Sequence, residues 1–233
     1  MIRATLNTSF TLIGCPGSGK SFYGRALAKQ FEAPIYSASS ILVSVLSPST
    51  KKAMDAGHLL DDVDVSNAIL AYLKENSPKG SYFFMDGFPR TLRQVHIMQS
   101  TWPREFQMRS AVHLDVPDSV CSQKIMGRRQ CSVCNQQPNI ANVQTDGFDL
   151  PPLMPPDCNN RCDSTGSDWK QRQDDLSMET VNNRLESYHR HSNPIIECYD
   201  GDGALFRFRP YKGEKDIPVM VSKLGEWINI RSN

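Results

Sequence analysis

Three groups of residues in this chain have the types and spacing to do chemistry. The stretch IGCPGSGKSF, residues 13–22, sets Gly14, Pro16, Gly17, Ser18, Gly19, Lys20 and Ser21 in the pattern G-x-x-x-x-G-K-[ST] behind an apolar run. Glycines let the backbone turn its N–H groups inward, and a helix starting there adds positive potential, so such a loop cradles a polyphosphate. Lys20 is then placed to reach the β and γ phosphates, and Ser21 to ligate Mg2+. The second group begins in YFFMDGFPRT, residues 82–91, where Asp86 ends an apolar run and can hold Mg2+ through water. Arg90 follows Gly87-Phe88-Pro89, and Arg128, Arg172 and Arg184 stand in GRRQC, KQRQDD and VNNRL. An isolated arginine is usually part of a solvated face. Together with Lys20, these four suggest fixed charge set around a transferring phosphoryl group.

The third group is Cys131, Cys134, Cys158 and Cys162, which crowd four of the chain's seven cysteines into one short segment. The pairs have gaps of two and three residues, within the zinc-knuckle range. The segment has few apolar neighbours to make a core for free thiols. A closed four-thiolate site of this kind folds a loop around Zn2+ and leaves no open position for chemistry. Asp163 is a substitute fourth ligand. Cys15, Cys121 and Cys198 read as packing residues.

The elements that must position these groups follow from periodicity. Short apolar segments at 9–13, 34–37, 81–85, 111–116 and 204–208 read as strands, and helical spacing is found at 20–31, 64–76, 91–101, 118–129, 177–190 and 216–230. Strands separated by helices make βαβ units, so the expected architecture is α/β, a five-stranded parallel sheet with helices on both faces. Ligands then bind at the carboxyl ends of the strands. Two regions break the alternation. Residues 38–62 carry two short helical patterns interrupted by Pro48 and closed by Gly57, and residues 130–171 contain five prolines and few long apolar side chains. Both read as insertions above the sheet.

A length of 233 residues suits one large domain with insertions. With 26 Lys and Arg against 25 Asp and Glu, the net charge of +1 gives no global attraction to nucleic acid or an acidic membrane. No apolar run approaches a membrane span, and the N-terminus lacks the apolar centre of a secretory signal. The expected location is the cytoplasm, with a mitochondrial one left open by Met1-Ile2-Arg3.

On GCPGSGK, MDAGHLL, DGFPRTLRQ, LDVPDSV, GRR, RQDD, ETVNNRLESYH and NPIIECYD, the chain resembles the adenylate kinases of the nucleoside monophosphate kinase family, in their long-lid, zinc-type form. The resemblance runs over most of the length and implies a P-loop NTPase fold in a single domain, 1–233, with a monophosphate-binding arm at 38–67 and a lid at 130–172. It implies transfer of the γ-phosphoryl of ATP to a nucleoside monophosphate, AMP first, with Mg2+ accompanying ATP and structural Zn2+ in the lid. Lys20, Arg90, Arg128, Arg172 and Arg184 would be the catalytic residues, with Arg90 also gripping the monophosphate. Lys124 would pack on the ATP base. Ser37, Leu59, Leu60, Gly87 and Gln94 would line the monophosphate site, and Asp174 and Asp175 would hold the lid hinge and its arginines. Partners would be small-molecule nucleotides, with no nucleic acid and no membrane, and the chain would act as a monomer.

The sequence departs from the family at three points. Lys20-Ser21-Phe22 replaces the usual lysine, glycine and threonine, Val43 stands at the place of an arginine that shares the monophosphate, and Ala38 replaces the threonine beside the base. Two alternatives therefore stand beside the AMP kinase: a nucleotide-binding regulatory protein that has lost efficient transfer, and a kinase for another monophosphate.

Overall fold

The strand β1 (Ser9–Gly14) is buried along its whole length, as expected of a central strand covered on both faces. The computed structural model describes residues 8–45, 60–78, 80–131, 133, 136–154, 162 and 165–232. After β1 come α1 (Lys20–Gln30), β2 (Ile35–Ser37), α2 (Ala38–Val45), α3 (Asp62–Asn76), β3 (Phe84–Asp86), α4 (Leu92–Thr101), β4 (Met108–Leu114) and α5 (Asp118–Met126). The chain continues through β5 (Gln130–Cys131), β6 (Val143–Thr145), β7 (Phe148–Leu150), β8 (Trp169–Lys170), α6 (Met178–Gly201), β9 (Leu205–Phe208) and α7 (Ile217–Ser232).

The expected five-stranded sheet is present, in the order β2-β3-β1-β4-β9, and every pairing in it is parallel. One face packs Phe10, Leu12 and Phe84 against Leu27 of α1 and Leu224 and Ile228 of α7. On the other side, α2, α3 and α4 close over Phe83, Met85 and Phe88, while Ile195, Ile196 and Tyr199 of α6 pack near β4 and β9. Because all five strands run the same way, Gly14, Ser37, Asp86 and Leu114 finish on one edge, and Ser37 and Asp86 are direct cross-strand partners.

Side-chain caps set several helix starts. Asp61 accepts the Val63 amide at 2.8 Å ahead of α3, Thr91 the Gln94 amide at 3.1 Å ahead of α4, and Ser177 the Thr180 amide at 3.1 Å ahead of α6. Asp61 moves the start of α3 two residues before the expected 64. The helix α6 runs eleven residues past the expected end at 190 and passes through Pro194. Proline removes one helical hydrogen bond. Here, burial of Ile195, Ile196 and Tyr199 outweighs that loss.

The described residues after Arg129 include two antiparallel strand pairs that the composition did not suggest. β5 pairs with β8, and β6 with β7, both antiparallel. The β6–β7 turn is Asp146-Gly147 with φ of 49° and 82°, the left-handed pair that a two-residue hairpin needs. Val143 and Phe148 from this hairpin bury against Val120 and Ile125 of α5, so it is anchored to the main body.

Candidate functional site

The loop between β1 and α1 is shaped by close approaches. A Cβ on Gly14 would lie 2.6 Å from the Ser18 Oγ, and one on Gly17, where φ is +89°, would overlap the Cys121 carbonyl. Gly19 enters α1 with φ of 90° and supplies no side-chain cap. That leaves first-turn N–H groups for an anion, as a phosphate site at a helix N-terminus requires. The Ser18 hydroxyl is buried with no hydrogen-bond partner, a polar atom placed for a ligand. Pro16 lies in the same loop, half-buried. Lys20 Nζ donates to the Gly14 carbonyl at 2.6 Å and to that of Cys15 at 3.0 Å, and so braces the loop. Burial pushes this ammonium down from its usual value, while Asp86 opposes the shift. Ser21 Oγ donates to Asp86 Oδ2 at 2.5 Å, which brings the hydroxyl and the carboxylate expected to serve Mg2+ together. A hydroxyl and a carboxylate are the hard oxygen donors that Mg2+ prefers.

Arg90 follows Gly87, whose φ is +87°, and donates from Nε to the Gly87 carbonyl at 3.0 Å. Burial disfavours its charge, Asp86 favours it and Arg184 disfavours it again, so these three groups lie within electrostatic reach. The other three arginines meet on two carboxylates. Arg128 binds Asp175 in bidentate fashion, Nε and Nη2 each at 2.7 Å, and Arg172 binds Asp174 likewise at 2.9 Å. Arg184 Nη1 reaches Asp175 Oδ1 at 2.5 Å and the Asp174 carbonyl at 3.0 Å. The Asp175 side chain has no exposure to solvent. For Asp174 burial works against the carboxylate, but Arg184, Arg172 and Arg128 hold its pKa below the ordinary value. Lys124 lies one turn before Arg128, and burial lowers its pKa.

On the opposite flank Ser37 ends β2, its Oγ 3.0 Å from that of Ser39, and Leu60 packs beside the α3 cluster. Val43 is exposed on α2, at 49%. Gln94 is buried, and both ends of its amide are committed: Oε1 accepts the Arg90 amide at 2.7 Å and Nε2 donates to Asp62 Oδ1 at 2.8 Å. Asp62 was not among the residues singled out from the sequence.

Cys131 and Cys162 are both buried. Cys131 Sγ lies 3.3 Å from Thr165 Oγ1, and Cys162 Sγ contacts Gln136 Oε1 at 3.4 Å. The Val133 amide donates to Cys131 Sγ at 3.4 Å. Cys134, Cys158 and Asp163, like Leu59 at the monophosphate site, lie outside the described residues.

Cys15 is buried, as expected, yet it also makes a polar contact to Asp118 Oδ1 at 3.3 Å, and Asp118 in turn meets His189 Nε2 at 2.8 Å. Contact with Cys121, burial and Asp118 all push the Cys15 thiol up. The sequence carried no signal for this cluster, because its members are separated by 103 and 71 positions on three elements.

Among the described residues no helix is long and apolar enough to cross a membrane. The family profile described as "Adenylate kinase" matches residues 12–204. The chain is 32% identical over 225 residues to the protein named "Adenylate kinase" from Nitrosococcus oceani, covering 92% of this chain and 95% of that one. It is 30% identical to "Adenylate kinase" of Syntrophomonas wolfei, with 88% and 93% covered, and 29% identical to "Probable adenylate kinase 6, chloroplastic" of Oryza sativa subsp. japonica, with 95% and 77% covered.

Proposed function

This chain belongs to the adenylate kinase family, and from that premise we propose that it moves the γ-phosphoryl of ATP to AMP, giving two ADP. An oxygen of the AMP phosphate attacks the γ-phosphorus, and the bond from that phosphorus to the β-phosphate oxygen breaks. The observation that carries this reading is the convergence on one sheet edge of a braced phosphate loop, Asp86 and four arginines.

Gly14, Pro16, Gly17, Ser18, Gly19, Lys20 and Ser21 take the ATP phosphates, with the orphaned Ser18 hydroxyl supporting that assignment. Mg2+, held through water by Ser21 and Asp86, would neutralise phosphate charge there. Arg128, Arg172 and Arg184 leave their carboxylates for the transferring group, where fixed donors stabilise the charge that spreads over it. Asp174 and Asp175 store and orient them. Lys124 packs on the ATP base, and Ser37, Leu59, Leu60 and Gly87 line the acceptor. Gln94 reads the acceptor base only if Asp62 yields its hydrogen bond. Residues 38–67 form the monophosphate arm and residues 130–172 the lid of the single domain 1–233. Their closure expels water, which would otherwise accept the phosphoryl group. The near balance of 26 basic and 25 acidic residues gives no general attraction to nucleic acid, in keeping with small-molecule nucleotides as partners, and we take the chain to act as a monomer. We place it in the cytoplasm.

A coupled assay of ATP with AMP, GMP, UMP and CMP tests the function, and turnover with AMP alone or above the others is the expected result. The same assay tests the arm. A hydrogen bond to a charged group contributes roughly 1.5–3 kcal/mol, so an acceptor clamped by Arg90 without a second arginine binds about one to two powers of ten more weakly. Val43→Arg is expected to lower the KM for AMP several-fold and leave that for ATP unchanged. No change, with AMP already saturating at micromolar levels, would mean that another side chain supplies the second clamp.

Zn2+ held by Cys131, Cys134, Cys158 and Cys162 would order the lid. The burial of the Cys131 and Cys162 thiols, and the crossed contacts of Cys131 with Thr165 and of Cys162 with Gln136, support these two as members of the set. Purified protein is expected to retain one tightly held equivalent, and Cys131→Ala to lose it while the sheet stays folded by circular dichroism. Unchanged zinc in that variant would refute the assignment.

A further inference from the structure

We propose that Cys15, Asp118 and His189 form a second metal site, for a transition-metal dication of the zinc class, built onto the back of the phosphate loop. Their ligand atoms all lie within 4.8 Å of one another. The individual separations are 3.3 Å from Cys15 Sγ to Asp118 Oδ1 and 2.8–2.9 Å from His189 Nε2 to the two Asp118 oxygens. A tetrahedral ion with bonds of about 2.0–2.3 Å has ligand–ligand edges of about 3.3–3.6 Å. Cys15 Sγ and Asp118 Oδ1 already lie at such an edge, the His189–Asp118 pair must open by about half an ångström, and the thiol and imidazole, within 4.8 Å of each other, close on the ion by side-chain rotation.

The donor chemistry selects the ion. Thiolate, imidazole and carboxylate together suit Zn2+ or Co2+, whereas the hard oxygen pair at Ser21 and Asp86 suits Mg2+. An isolated His189–Asp118 contact would be an ordinary surface pair worth little. What distinguishes it is the third donor, a buried thiol from another element to which Asp118 already turns. An ion has a way in as well. A surface cleft of about 360 Å³, lined by Asp118, Ser122, Glu186 and His189 among others, opens on this side. Glu186, three positions before His189 on α6, lines the same cleft, and the fourth position is left to water. On binding, the Cys15 proton leaves to solvent, because a coordinating thiol is deprotonated.

The site ties together the first residue of the phosphate loop, the first residue of α5 and the middle of α6. The Cys15 carbonyl is also one of the two acceptors that hold Lys20. Occupancy is therefore coupled to the loop, and we expect it to slow turnover; this consequence, unlike the site itself, rests on the kinase reading.

Protein with its tightly held zinc, cleared of loose metal on a weak chelating resin, would be titrated with Co2+ and followed by absorbance. One equivalent is expected to give a thiolate-to-cobalt charge-transfer band with intense visible bands of tetrahedral cobalt. Cys15→Ala is expected to abolish the charge-transfer band, and His189→Gln, at a half-exposed position, to weaken binding at least tenfold while leaving the metal-free rate unchanged. Added Zn2+ should inhibit the unaltered protein and spare His189→Gln. The proposal is overturned if the cobalt spectrum is the same in all three proteins, or if it persists in Cys15→Ala and disappears in Cys131→Ala, which would put the ion in the lid. The spectrum needs no turnover, so a failed kinase assay and a failed metal site are distinguishable.

Discussion

Lys20→Ala is expected to lower kcat by about 100- to 1,000-fold, the loss typical of removing one preorganised charge from a transition state, or about 2.7–4 kcal/mol. The ammonium is half-buried and fixed by two loop carbonyls, so it needs little rearrangement as charge moves between the phosphates. Such a group favours the transition state over bound ATP, and the loss should appear in kcat and in kcat/KM alike. Steady-state kinetics with ATP varied at saturating AMP, and the reverse, separate the outcomes. A fall confined to the KM for ATP would reduce the loop to a binding element. Because Lys20 also braces Gly14 and Cys15, the melting temperature should be measured beside the rates; a large drop there would assign part of the loss to the loop.

Asp175→Ala is expected to destabilise the protein by about 3–5 kcal/mol, since it takes from two partly buried guanidinium groups the fully buried carboxylate they share and leaves Asp174 to compensate both. Arg128 and Arg184 both bind this carboxylate, which solvent does not reach. For a chain of this size each kcal/mol moves the melting temperature by about 2–4 °C, so the expected fall is about 6–20 °C. Differential scanning calorimetry decides it, and a shift under 2 °C would mean that the cluster relaxes freely. Turnover should fall too, as Arg128 and Arg184 lose their orientation. Asp174 adds a pH dependence of known sign. Its folded pKa lies below the ordinary carboxylate value. Its stabilising contribution is thus fully present above about pH 4 and fades as the pH drops through the lowered folded pKa.

The parallel sheet and the phosphate loop were readable in the sequence because both are local: apolar runs, a glycine pattern and a lysine within a few positions. Arg128, Arg172 and Arg184 were readable as charge, and the resemblance already implied that Asp174 and Asp175 hold them; which arginine meets which carboxylate depends on the geometry of one 3-10 turn against α6. Boundaries slipped where tertiary packing overrode local preference, as at Pro194 in α6. The β6–β7 hairpin was missed although Asp146-Gly147 marks its turn, since its strands are only three residues each. Asp62 at Gln94 and Asp118 between Cys15 and His189 were illegible for a different reason. Each is an ordinary helix-start acid until the fold brings a distant partner to it.

The arginine cluster carries three positive charges on Arg128, Arg172 and Arg184 and two negative ones on Asp174 and Asp175, so 3 − 2 leaves a single net charge. A bare nest of three guanidinium groups would be occupied by any passing orthophosphate or sulfate. With carboxylates already seated, a small anion gains little by displacing them, because one charge-assisted bond is exchanged for another of similar strength. A nucleotide anchored elsewhere by its loop contacts and base can compete for several arginines at once. On the proposed mechanism the same carboxylates would take the arginines back when the products leave. Built-in competitors of this kind make the empty site indifferent to common anions and keep it from holding its own products too long.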